Sequence, residues 1–195
     1  MVLDPFTLLV ITAAMAAASA LYLAAEWSSV RERSLLLWSA GFAIVAVGSA
    51  LALLRSGGDV LVGIWLPNGL LIAAHWLFLA GVAGFMRVRL PHAWWLLAAV
   101  WLAMLFLPDG PWWSKVMMGV QSWLIAIITL RAGLLLRPQG GTLTVGAAQL
   151  RFVLLVHGLF YLAKAASTMA PDAIVNLASF RGAVILISLV EGVMA

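Results

Sequence analysis

Cysteine is absent from the 195 residues, which excludes disulfides, thiolate metal sites and a cysteine nucleophile. Charge is scarce as well. Only 9% of residues are Asp, Glu, Lys or Arg, against about 25% in soluble domains. The chain has no HExxH pair, no nucleophile elbow and no pair of carboxylates set within an apolar stretch. A catalytic centre among these residues is therefore not expected. No lysine falls in the last apolar stretch, where an opsin-like protein holds retinal. No internal repeat stands out, so an inverted-repeat transporter has no support.

What the chain has in abundance is hydrocarbon: 65% hydrophobic residues and a mean hydropathy of +1.12. Seven apolar stretches use nearly the whole length, at about 20 residues for each crossing of a bilayer. They run Phe6 to Trp27, Leu35 to Leu54, Val60 to Met86, Ala93 to Leu107, Val116 to Leu136, Val145 to Met169 and Ile174 to Ala195. Such long, uniformly apolar runs are helical, because lipid offers no water to an open backbone. The first is a retained span and not a cleaved signal, since Asp4 stands where a basic n-region is required.

The charges that remain alternate by gap. Arg31 and Arg33 follow the first stretch, Arg87 and Arg89 the third, and Arg131, Arg137 and Arg151 flank the fifth gap. Asp4, Asp59, Asp109 and Asp172 mark the other gaps. Basic loops stay cytoplasmic. The pattern predicts one all-α, polytopic membrane domain over 1–195, with seven transmembrane helices, the N-terminus outside and the C-terminus cytoplasmic. It also accounts for the net charge of +4 without nucleic acid as a partner.

Polar groups inside spans are costly in lipid and mark candidate sites. Counted from the outer aspartates at about 1.5 Å per residue, Asn68, Lys164 and Arg181 lie about 12–14 Å deep and His75 and His157 about 23 Å. Asn68 and His75 share one face of the third span; His157 and Lys164 share one of the sixth. If these antiparallel spans face each other, a cationic layer of Asn68, Lys164 and Arg181 lies above a histidine layer. The upper layer, with Gln121 as a further neutral group, reads either as a pocket for an anionic headgroup or as two cations snorkelling to outer water. The lower layer reads either as the axial pair of a haem b, with Lys164 and Arg181 beside the propionates, or as two histidines hydrogen-bonded to neighbouring helices. Glu26 lies close enough to Arg31 and Arg33 to pair with them. Pro67-Asn68-Gly69 predicts a kink in the third span.

Three segments carry a resemblance: Met1-Val2-Leu3-Asp4-Pro5-Phe6-Thr7-Leu8-Leu9, Leu37-Trp38-Ser39-Ala40-Gly41-Phe42-Ala43 and Leu66-Pro67-Asn68-Gly69-Leu70-Leu71. They resemble the N-terminal membrane sensor domains of bacterial GGDEF-type diguanylate cyclases, and the likeness extends over most of the chain as layout. It implies a multi-pass domain of the bacterial inner membrane that dimerises and regulates a cytoplasmic output domain in cis, joined after residue 195 through a signalling helix. That output would be a cyclase making cyclic di-GMP. His75 and His157 belong to no pattern of that family. Three readings follow, in this order: a sensor for a cytoplasmic output, a small haem-b electron carrier complete in itself, and a transporter or channel subunit.

Overall fold

The computed structural model describes residues 5–54, 61–107, 112–137 and 144–169. Arg181, the seventh expected span and the aspartate-bearing gaps lie outside the described residues. Among the described residues every regular element is helical. These are α1 (Pro5–Val30), α2 (Arg33–Ala52), α3 (Leu66–Phe85), α4 (Trp95–Ala103), α5 (Trp113–Leu135) and α6 (Val145–Met169).

Five helical segments are long and apolar enough to cross a membrane: Phe6–Val30, Arg33–Ala52, Leu61–Phe85, Trp113–Leu135 and Val145–Thr168. The fourth apolar stretch is a shorter helix, His92–Phe106. Its ends, His92–Trp94 and Met104–Phe106, are 3₁₀ turns flanking α4. The steeper 3₁₀ rise lengthens the segment to about 25 Å, near the roughly 30 Å of a hydrocarbon core.

In α1 and α2 the buried residues are small. In α2 the buried residues are Ser34, Ser39, Gly41, Gly48 and Ser49, while in α1 they include Ala16 and Ala20. Large apolar side chains point outward: Leu21 is 74% exposed, Phe152 66% and Leu159 57%. Without a hydrophobic drive between helices in lipid, small residues that let backbones close up decide the packing. Ser39 Oγ donates to the Ala20 carbonyl at 2.8 Å, tying α2 to α1.

The chain divides into two compact units, one ending at Ala74 and the other beginning at His75. In the first, α1 packs along α2, and Gly48 admits the chain around Pro67 and Leu70: a Cβ there would stand 3.4 Å from the Pro67 carbonyl and the Leu70 Cβ. A π-helical turn, Leu61–Trp65, leads into α3 ahead of Pro67. Proline cannot supply the amide that an α-helix needs there, and the widened turn accommodates the loss.

In the second unit α5 packs along α6. The enclosed side of α5 holds Met117, Gln121, Leu124, Ile125, Ile128 and Thr129. Ser122 and Thr129 return their hydroxyls to the carbonyls of Met118 and Ile125, so neither leaves a bare donor in the apolar interior.

Two helix ends use arginine where glycine is usual. Arg31 (φ 58°) and Arg87 (φ 55°) are left-handed. The Arg31 amide reaches back to the Trp27 carbonyl at 2.8 Å, and its guanidinium lies 4.8 Å from the centre of the Trp27 ring. After α3 the amides of Arg87 and Val88 bond to the carbonyls of Gly84 and Ala83, a Schellman closure.

Candidate functional site

His75 lies in the third turn of α3 and is 7% exposed; His157 lies in the middle of α6 and is half-buried. Their Nε2 atoms are 3.0 Å apart. One ring donates its Nε2–H to the bare Nε2 of the other.

The rings meet end to end. Their planes differ by 24° and their centroids are 5.2 Å apart, about 2.2 Å more than the 3.0 Å between the nitrogens. That difference is the two centroid-to-atom radii of imidazole, so both centroids and both Nε2 atoms lie nearly on one line. A face-to-face stack would bring the centroids much closer.

Aromatic rings enclose the junction. Phe78, one turn from His75, presents an edge at 5.7 Å between centroids. Tyr161, one turn from His157, is centred 4.8 Å from His157 and 6.0 Å from His75. The three centroid distances place the Tyr161 ring about 4.8 Å from the midpoint of the histidine pair and close to the plane that bisects it. Phe160 meets Tyr161 edge-on at 5.6 Å.

Lys164 continues the same face of α6, its Nζ 5.2 Å from the centre of the Tyr161 ring. The quadrupole of that ring attracts an ammonium in apolar surroundings. Ser167 and Thr168 both donate to the Lys164 carbonyl at 2.8 Å. His157, Tyr161, Lys164 and Thr168 thus form a polar stripe at helical spacing, and His75 is added to one end of it from α3.

Of the residues singled out in the sequence, His75 and His157 are in contact and Lys164 adjoins them through Tyr161. Gln121 is 3% exposed on α5, Asn68 is half-buried at the start of α3, and Glu26 is half-buried in the last turns of α1. Tyr161 is an addition to those residues, and its signal in the sequence is an aromatic residue four positions after an intramembrane histidine, on the same face.

The haem b expected as one possibility does not fit this arrangement. The obstacle is the Tyr161 ring, centred about 4.8 Å from the midpoint of the pair and close to its bisecting plane, inside the footprint of a macrocycle.

No protein-family model, no curated protein and no solved structure matches the chain.

Proposed function

We propose that this chain is a membrane-embedded sensing domain whose responsive element is the His75–His157–Tyr161–Lys164 array. The observation behind this reading is the end-to-end histidine bond, made by two ionisable side chains on separate helices of an apolar protein. Such groups are expensive in lipid and are associated with signal, proton or ion handling. Elsewhere this chain joins its helices through small residues, at Ser39 and Gly48.

The mechanism is a population shift. An imidazole pair held by one shared hydrogen has two discrete arrangements, joined and parted. A stimulus that favours one biases the position of α6 against α3. In this proposal seven spans carry the N-terminus outside and the C-terminus into the cytoplasm of a bacterial cell. The domain acts as a homodimer, and its last span controls the pairing of cytoplasmic output domains in cis. The GGDEF-type resemblance names that output as a diguanylate cyclase.

The test joins the chain to a diguanylate cyclase domain in a bacterial inner membrane and measures cyclic di-GMP. His75→Ala, His157→Ala and Lys164→Ala should each fix the output high or low. Variants that insert and fold normally, yet give wild-type cyclic di-GMP under every condition that alters the parent, would sink the reading.

A further inference from the structure

The alignment of the two imidazoles specifies more than a hydrogen bond. We propose that His75 and His157 form a two-coordinate site for a soft monovalent d10 metal ion, cuprous copper, bound between their Nε2 atoms. The inference rests on the geometry of the pair and is independent of the signalling reading.

Most metal chemistry is excluded by the same geometry. Structural zinc takes four ligands in a tetrahedron, cupric copper a tetragonal set, and calcium or magnesium six or more oxygens. Among the described residues no group of three or more His, Cys, Asp or Glu could hold a metal ion. Two nitrogen donors on one line, with no further protein ligand, suit the linear two-coordinate d10 ions, of which copper(I) is the biological member.

The tautomers allow it at low chemical cost. One Nε2 of the pair is already bare and the other carries the shared proton. Transfer of that proton to the Nδ1 of its own ring leaves two lone pairs facing each other. A copper(I) ion entering between them forms two Cu–N bonds, breaks the N–H···N hydrogen bond and releases no proton. Copper stays monovalent throughout, so no oxidant or reductant is consumed. The nitrogens must part from 3.0 Å to about 4 Å. Rotation of the two imidazoles about their side-chain torsions would supply that movement.

The surroundings select for low charge. Burying one positive charge costs far less than burying two. The Tyr161 ring is centred about 4.8 Å from the midpoint of the pair, inside the roughly 6 Å range of cation–π attraction. It needs no equatorial space that a two-coordinate ion would use. The Lys164 ammonium, beside the same ring, opposes the ion and offsets part of that attraction.

The experiment is an anaerobic titration of the detergent-purified chain with copper(I), kept reduced by ascorbate and competed by a chromophoric copper(I) chelator. One ion per chain is expected. His75→Ala and His157→Ala should each abolish stoichiometric uptake. His92→Ala, which removes the exposed third histidine, should retain it. Silver(I), redox-inert and equally linear in preference, should bind in the same ratio. X-ray absorption on the wild-type protein should show a first shell of two nitrogens, a result that stands even if the alanine variants unfold. No uptake, uptake indifferent to His75 and His157, loss with His92→Ala instead, or a shell of three or more ligands would each overturn the proposal.

Discussion

Gly158 closes α6 onto Leu130 of α5 so tightly that a Cβ at Gly158 would stand 2.6 Å from the Leu130 Cγ and 3.0 Å from its backbone nitrogen. The contact lies one residue from His157, so the packing of α6 on α5 also sets where that imidazole is held. Gly158→Ala would raise helix propensity by about 1 kcal/mol, but the overpacking costs about 1–3 kcal/mol. The backbone atom cannot move aside as a side-chain tip can, so the loss should win. Thermal unfolding in detergent should show a lower midpoint for Gly158→Ala. Leu130→Ala should restore part of it in the double variant, and a Gly158→Ala protein as stable as wild type would contradict the packing.

Ser39 serves as both a small residue and a donor. Its hydroxyl bond to the Ala20 carbonyl links α2 to α1 where the buried residues are alanine, serine and glycine. Interhelical bonds of this kind contribute only about 0.6 kcal/mol in a membrane. Ser39→Ala should therefore destabilise slightly. Ser39→Leu, which wedges the helices apart, should cost about 1–3 kcal/mol. Equal effects of the two in a thermal or denaturant series would show that close approach is not what holds α1 to α2.

Arg87 closes the Schellman turn after α3 at φ 55°, where a side chain is strained and glycine is not. Left-handed backbone costs an L-residue about 1–2 kcal/mol, part of which glycine returns through the entropy it loses on folding. A basic side chain near anionic lipid gains about 1 kcal/mol. The two effects are of similar size and depend differently on the surroundings. Arg87→Gly should raise the unfolding midpoint in neutral detergent and leave it almost unchanged in anionic vesicles. The same gain in both media would show that the arginine does not meet headgroups.

The long helices were readable because hydrophobic length is a local property of the chain: α1, α2, α5 and α6 begin and end within a few residues of the apolar runs. The fourth stretch was harder. Its composition shows that it is apolar but not that both ends wind into 3₁₀ turns, which depends on what they pack against. The histidine pair was legible as similar spacing from aspartates on two antiparallel stretches. Its end-to-end alignment was not, since that depends on rotamers. Nor does spacing reveal that Tyr161 sits close to the bisecting plane, or that Gly158 meets Leu130. Those are contacts between helices, and a pattern along one helix records only which face is shared.

Tyr161 provides the sharpest test of how the site excludes larger groups. Two histidines end to end invite comparison with an axial pair, and the obstacle to a macrocycle is one aromatic ring close to the bisecting plane. Wild-type protein made with haem available should show no Soret band, oxidised or reduced with dithionite. Tyr161→Ala removes the ring while leaving both imidazoles, and its loss from a half-buried position costs about 2–4 kcal/mol, less than most folded domains can spare. Added haemin should then give that variant a Soret band with α and β bands on reduction, and His157→Ala in the same background should remove them. Tyr161→Phe, which keeps the ring and drops only the hydroxyl, should behave as wild type. A wild-type preparation that is red, with colour lost in His75→Ala, would mean that Tyr161 swings aside on its own and that the pair is an axial haem site after all.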